Sequence, residues 1–174
     1  MDALHADTAP PPIRSREEWK AAELPAGWKP LGRVESVTIH IAESPDDDAA
    51  PEPERIRAWE AMHRRAFGIG PAYHYGIARS GTLWQLLPET VRGAHAKARN
   101  KGNLGVVLFG RERFKLSQFD ALRRLLRYLI VQHDLPTALP LEWLRGHLEM
   151  PPSDTTCPGP VVQEWVRELR EGGL

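Results

Sequence analysis

From Val34 to Ile41 the chain alternates (VESVTIHI), with Val37, Ile39 and Ile41 on one side and Ser36, Thr38 and His40 on the other. That period of two predicts a strand whose polar face lines a cleft. Upstream, Ser15-Arg16-Glu17-Glu18 has the capping-box pattern and predicts a short helix carrying Trp19, broken by Pro25, Gly27 and Pro30. Downstream, the acidic, proline-rich stretch 43–53 reads as a loop. Ile56, Trp59, Met62, His63, Ala66 and Phe67 then recur at helical spacing over 54–67. Tyr73–Ala78 and Thr82–Leu87 flank Ser80-Gly81 and read as a hairpin, with Tyr73 and Tyr75 on one face and His74 on the other. The continuous apolar run Leu104–Phe109 predicts a central strand covered on both sides. A helix is expected from Ser117, capped with Asp120, burying Phe119, Leu122, Leu126, Leu129, Ile130 and His133. Residues 136–159 read as loop. A last helix from about Pro160 is expected to bury Val161, Trp165 and Leu169. The alternation of strands and helices predicts an α/β (α+β) single domain, a central mixed sheet flanked by helices. Residues 1–12, polar and proline-rich, are expected as a flexible tail, and 13–174 as the domain.

Composition narrows the class. A chain of 174 residues can bury about 70% of its unfolded surface, so it needs no disulfide or metal merely to fold. Lys plus Arg equals Asp plus Glu at 23 each, which leaves no charge footprint for nucleic acid or an anionic membrane. The single cysteine excludes an internal disulfide. No apolar run approaches the roughly 20 residues that span a bilayer, so no membrane insertion is expected. Met1–Pro12 lacks the basic start and apolar stretch of a secretory signal, so the chain is expected to be cytoplasmic on synthesis.

The histidines are unevenly placed. His40 sits on the polar strand face, His147 follows Gly146, and Cys157 comes ten residues later before Pro158-Gly159. Two imidazoles and a thiolate suit Zn²⁺, with a fourth position left for the water that metal-assisted hydrolysis requires. The same residues permit a second chemistry. Cys157 precedes a helix N-terminus that favours a thiolate, His147 would be its base, and Asp154 or Glu149 would orient that base.

Ordered blocks carry a resemblance across residues 13–170. Val37–Ala42, the stretch AYHYGIARSGT from Ala72 to Thr82, Gly93-Ala94-His95-Ala96, NKGNLGVVLFG from Asn100 to Gly110, and Gly146-His147 followed by Thr155-Thr156-Cys157-Pro158-Gly159 occur in the family's order. Ser15–Trp19 also resembles its "SRxEW" opening. The chain resembles the zinc-dependent type 2 N-acetylmuramoyl-L-alanine amidases, whose fold is shared by peptidoglycan recognition proteins and T7-type phage lysozymes. The resemblance implies Zn²⁺ on His40, His147 and Cys157. It implies catalytic assistance from Tyr73 and, where many phage members carry lysine, a lesser donor in Thr155. It implies substrate contacts at His95, with Asn100 and Trp84 as saccharide or stem-peptide contacts. The substrate would be peptidoglycan, cleaved between N-acetylmuramic acid and L-alanine by zinc-activated water. The enzyme would be an endolysin reaching the wall after a holin opens the inner membrane, acting as a monomer with no nucleic-acid partner. A non-catalytic recognition module and a cytoplasmic muropeptide-recycling amidase are the alternatives; the second uses aspartate where Cys157 stands. His74 reads as structural. His5, His63 and His133 read as incidental, and Asp46-Asp47-Asp48 as a solvated loop.

Overall fold

Six strands form one mixed sheet in the computed structural model, which describes residues 10–152 and 154–174. Most of the expected tail, residues 1–9, lies outside the described residues. Pro11 is buried, so packing begins ahead of the expected boundary at 13. The strands are β1 (Ile13–Arg14), β2 (Ser36–Ile41), β3 (Tyr75–Ile77), β4 (Leu83–Gln85), β5 (Asn103–Leu108) and β6 (Leu144–Gly146). Their order across the sheet is β1-β4-β3-β5-β2-β6. Only the β3–β4 hairpin is antiparallel; the other neighbours run parallel. The helices are α1 (Glu52–Phe67), α2 (Leu116–His133) and α3 (Gly159–Gly172).

The two faces of the sheet are chemically different. Val37, Ile39, Tyr75, Ile77, Leu104, Val106 and Leu108 pack with the buried faces of α2 and α3. β5 is buried along its whole length, as its apolar run requires. On the opposite side, Val107 and Trp84 join Trp19, Phe109 and the α1 residues Ile56 and Trp59 in a second cluster. Thr38 and His40 alternate with Val37 and Ile39 and so fall on this second side. Both are fully buried, so most of the polar face is covered and not an open cleft.

Several local expectations change. Ser15–Glu18 makes both capping-box bonds, Ser15 N–H to Glu18 Oε2 at 2.7 Å and Glu18 N–H to Ser15 Oγ at 3.4 Å. No helix follows: residues 16–20 form a turn, closed with Lys20 in the left-handed region. Trp19 is fully buried and donates its indole N–H to the Gln85 carbonyl. In α1, Met62 and Phe67 are about half exposed, and Glu60 is buried instead. The α2 start is closed by Gln118, whose Oε1 accepts from Lys115 N–H, and not by Ser117 and Asp120. In α3 the buried stripe is Val162, Val166 and Leu169, while Val161 is 43% exposed. Leu169 is buried as expected, and Trp165 is partly buried against the same core. β6 lies inside the stretch expected to be loop.

Asp46 is not a solvated loop residue. Its carboxylate accepts the backbone N–H groups of Arg111, Glu112 and Arg113 at 2.8–3.2 Å and sits 3.3 Å from the buried Arg79 guanidinium. These bonds, that of Arg111 foremost, hold its carboxyl below the ordinary range. A depressed carboxyl stabilises the fold above its unfolded pKa of about 4 and loses that contribution as pH falls through the lower folded value. Asp46→Asn is therefore expected to lower the urea midpoint at pH 6, with the gap to wild type narrowing below about pH 4. Equal midpoints at pH 6 would refute the anchoring role.

Candidate metal centre

Three separated segments meet at the open end of the second face. His40 is the penultimate residue of β2. β6 pairs with β2 so that Gly146 stands opposite Ile39, which sets His147, the next residue, beside His40. The His40 and His147 ring centroids are 4.4 Å apart. Leu148 N–H donates to the Cys157 carbonyl at 2.7 Å and draws the third segment in. The Cys157 sulfur accepts from Ile41 N–H at 3.4 Å and lies 3.8 Å from His40 Nδ1. One ligand atom from each of His40, His147 and Cys157 lies within 4.8 Å of the other two.

Electrostatics suits a cation here. Burial, then the neighbouring imidazoles of His95 and His147, holds His40 well below the usual histidine value. Burial also lowers His147. Both rings are therefore neutral at pH 7, the form that binds metal. Burial pushes the Cys157 thiol up to about 11, with Glu43 adding and the Ile41 N–H opposing. Such a thiol is protonated at neutral pH and makes a poor unassisted nucleophile. Glu149, the other orienting group considered for a thiol mechanism, is spent elsewhere: it accepts from Gly146 N–H at 2.8 Å and pairs with Arg170 at 2.7 Å. Two neutral imidazoles and one thiol within mutual reach fit Zn²⁺ and leave a coordination position for water.

Tyr73 stands at the rim. It precedes β3, so strand alternation does not reach it, and it lies on the face opposite Tyr75, contrary to expectation. Its ring is 4.8 Å from His40 and stacks on Trp59 at 5.2 Å and 15°. Burial raises its phenol well above the ordinary value, with Cys157 and Glu43 adding. Thr155 Oγ1 accepts from Cys157 N–H at 3.1 Å, which closes the turn before α3 and leaves the hydroxyl proton to donate.

The structure gives the three expected substrate contacts other surroundings. Trp84 is 5% exposed and donates its indole N–H to Glu52, leaving little surface for a saccharide. Asn100 Oδ1 accepts from the N–H groups of His95 and Ala96 at 2.9 and 2.8 Å. Asn100 also lines a cavity of about 520 Å³ with Trp28, Lys29 and Arg92. His95 is buried behind His40, with both ring nitrogens bonded inside the protein. His74 bridges Gly105 N–H and the Val91 carbonyl. His63 accepts from Ala72 N–H and packs on Trp59. His133 lies 3.1 Å from Glu89. A cleft of about 450 Å³ beginning just beyond Ile41 was not anticipated; Glu43, Trp59, Met62 and Phe109 help line it. Its walls come from the loop after β2, from α1 and from the end of β5, so no local pattern marks it. Among the described residues, no helix is long and apolar enough to cross a membrane.

Comparison with known proteins places this arrangement in a family. Residues 30–160 match the model of N-acetylmuramoyl-L-alanine amidase, and the chain belongs to that family. Among its sequence relatives are phage endolysins. That of Enterobacteria phage T3 is 27% identical over 147 residues, covering 79% of this chain and 89% of the relative. That of Escherichia phage T7 is 30% identical over 118 residues, covering 63% and 71%. In fold, Drosophila peptidoglycan recognition protein SD superposes with a TM-score of 0.79 at 22% identity, over 90% of this chain and 94% of that one. The amidase LysC from Clostridium intestinale superposes at 0.70 and 22% identity, over 92% and 99%.

Proposed function

We propose that the chain hydrolyses the amide between N-acetylmuramic acid and the L-alanine of the peptidoglycan stem peptide, with Zn²⁺ on His40, His147 and Cys157, in the lytic role of a phage endolysin. The observation that carries the reading is the convergence of those three side chains within a chain of this family. The names of the relatives support the lytic role. Bound there, zinc supplies a Lewis acid and a water with a pKa of about 7.

The chain's own residues divide the remaining work. The two imidazoles present lone pairs with no proton to lose, whereas the Cys157 thiol must release one. Ile41 N–H stabilises the resulting thiolate. Tyr73 keeps its proton across the neutral range and donates it in a hydrogen bond to the carbonyl oxygen as negative charge develops there. Stacking on Trp59 holds that ring in place. Thr155 is a second donor, worth about 1 kcal/mol net.

The test is mass spectrometry of the soluble products after zinc-loaded protein meets purified peptidoglycan. Free stem peptides with a new N-terminal alanine are expected, lost with a chelator and restored by zinc. Protein that pellets with the wall and releases nothing would make the chain a recognition module. Release that survives a chelator but not an alkylating agent would assign the chemistry to the Cys157 thiol.

A further inference from the structure

His95 is not one of the three clustered ligands, yet it touches one of them directly. Its Nδ1 is 3.1 Å from His40 Nε2, and its Nε2 is 3.1 Å from the Asn103 carbonyl oxygen. A carbonyl only accepts, so the proton of this ring sits on Nε2. His95 is 6% exposed, and among the described residues its ring nitrogens meet His40 Nε2 and the Asn103 carbonyl and no carboxylate that would support a second proton. Its Nδ1 is then an acceptor, and His40 Nε2 must be the donor. That leaves the lone pair of His40 on Nδ1, the atom 3.8 Å from the Cys157 sulfur. We propose that His95 is a positioning residue: its acceptor nitrogen fixes His40 in the Nε2–H tautomer, so that the bare Nδ1 faces the zinc. The role toward the metal rests on the zinc reading above; the tautomer does not.

The surroundings of His95 are built around its ring. A β-carbon at Gly105 would lie 2.7 Å from His95 Cγ, and one at Gly93 would lie 2.7 Å from His95 Cδ2. Both positions approach the imidazole so closely that only glycine leaves room. Gly105 stands opposite Thr38 in the β2–β5 register, so the ring rests on the sheet beside the metal-bearing strand. The far end of the chain of bonds is equally fixed. Asn103 accepts from the Thr38 hydroxyl at 3.0 Å through Oδ1 and donates to the Arg99 carbonyl at 2.8 Å through Nδ2. Asn100 holds the His95 backbone from the other side. The result is a continuous path from a fixed backbone carbonyl through two imidazoles to the ligand atom. Outer partners of this kind set the tautomer and orientation of a metal-binding histidine.

Long-range proton–nitrogen NMR on metal-free protein labelled with nitrogen-15 at histidine reads the tautomer directly. Wild-type His40 is expected to carry its proton on Nε2, and His95→Ala to lose that preference. Zinc affinity, read by competition with a chromophoric chelator, is expected to fall roughly 10–100-fold in His95→Ala. His95→Asn places an amide oxygen near the lost Nδ1 and should recover the tautomer and most of the affinity. A ring that only fills space would not move the tautomer, and asparagine would rescue no better than alanine. A wild-type His40 protonated on Nδ1 overturns the inference with no variant needed. So does a correctly folded His95→Ala whose tautomer and zinc affinity match wild type. Wild-type protein that takes up no zinc would instead defeat the zinc reading, and with it any role of His95 toward the metal.

Discussion

Cys157→Ala is expected to lose zinc and peptide release together, by more than the roughly 10–100-fold that loss of an outer partner costs a metal site. Cys157 supplies the only sulfur of the cluster; without it two imidazoles remain, too few to close a stable zinc site. The fold should survive. The contacts that draw this segment in, Leu148 N–H to the Cys157 carbonyl and Cys157 N–H to Thr155 Oγ1, are backbone contacts of residue 157 and persist in alanine. The pH dependence gives a second readout. Because the free thiol sits near 11, metal must displace its proton throughout the neutral range. Both imidazoles are already neutral there and have none to give. Wild-type zinc affinity should therefore rise with pH about tenfold per unit more steeply than that of Cys157→Ala between pH 7 and 9, the contribution of the one thiol proton. Any proton lost from zinc-bound water is common to both proteins and cancels from that difference. Metal analysis of dialysed protein and chelator competition at three pH values measure both effects. A variant that keeps stoichiometric zinc and full activity would end the zinc mechanism.

The parts of this site that could be read from the sequence are those carried by local pattern. β2 alternates strictly, so His40 could be assigned to the face opposite Val37 and Ile39 before any tertiary contact was known. β6 could not be read. It is three residues long, and its strand geometry comes from pairing with β2, whose partner residues lie about 107 positions away, as in Ile39 with Gly146. Tyr73 shows where a periodic argument stops: alternation holds within β3, which begins at Tyr75, and extending it two residues back assigns the wrong face. Asp46 shows the limit of composition. Three adjacent aspartates read as solvated until residues 111–113 bring their N–H groups to one of them. His95 illustrates both: its block was recognisable, but whether it faces substrate or His40 depends on which atoms its two nitrogens meet.

Tyr73→Phe is expected to lower kcat roughly 10²–10³-fold, the cost of removing one donor from a developing oxyanion, with zinc content and KM little changed. The phenylalanine ring keeps the stacking on Trp59 and the edge contact with His40, so the hydroxyl alone is lost. Among the described residues that hydroxyl has no hydrogen-bond partner in the protein, so its removal leaves no buried group unpaired and should not cost stability. The raised phenol adds a constraint on pH. A group that holds its proton past pH 10 cannot produce an alkaline limb in the neutral range. The phenylalanine variant should therefore lower the pH–rate profile without changing its shape between pH 6 and 9. Thr155→Val supplies the scale. Its hydroxyl proton is worth about 1 kcal/mol, a loss of about fivefold and far less than at Tyr73, when the variant, which also lacks the acceptor of Cys157 N–H, is compared at equal zinc occupancy. Steady-state rates of peptide release for the two variants, each checked for zinc content, decide the ranking. If Tyr73→Phe instead raises KM at unchanged kcat, the phenol binds substrate in the ground state, and stabilisation of the oxyanion falls to the metal and Thr155.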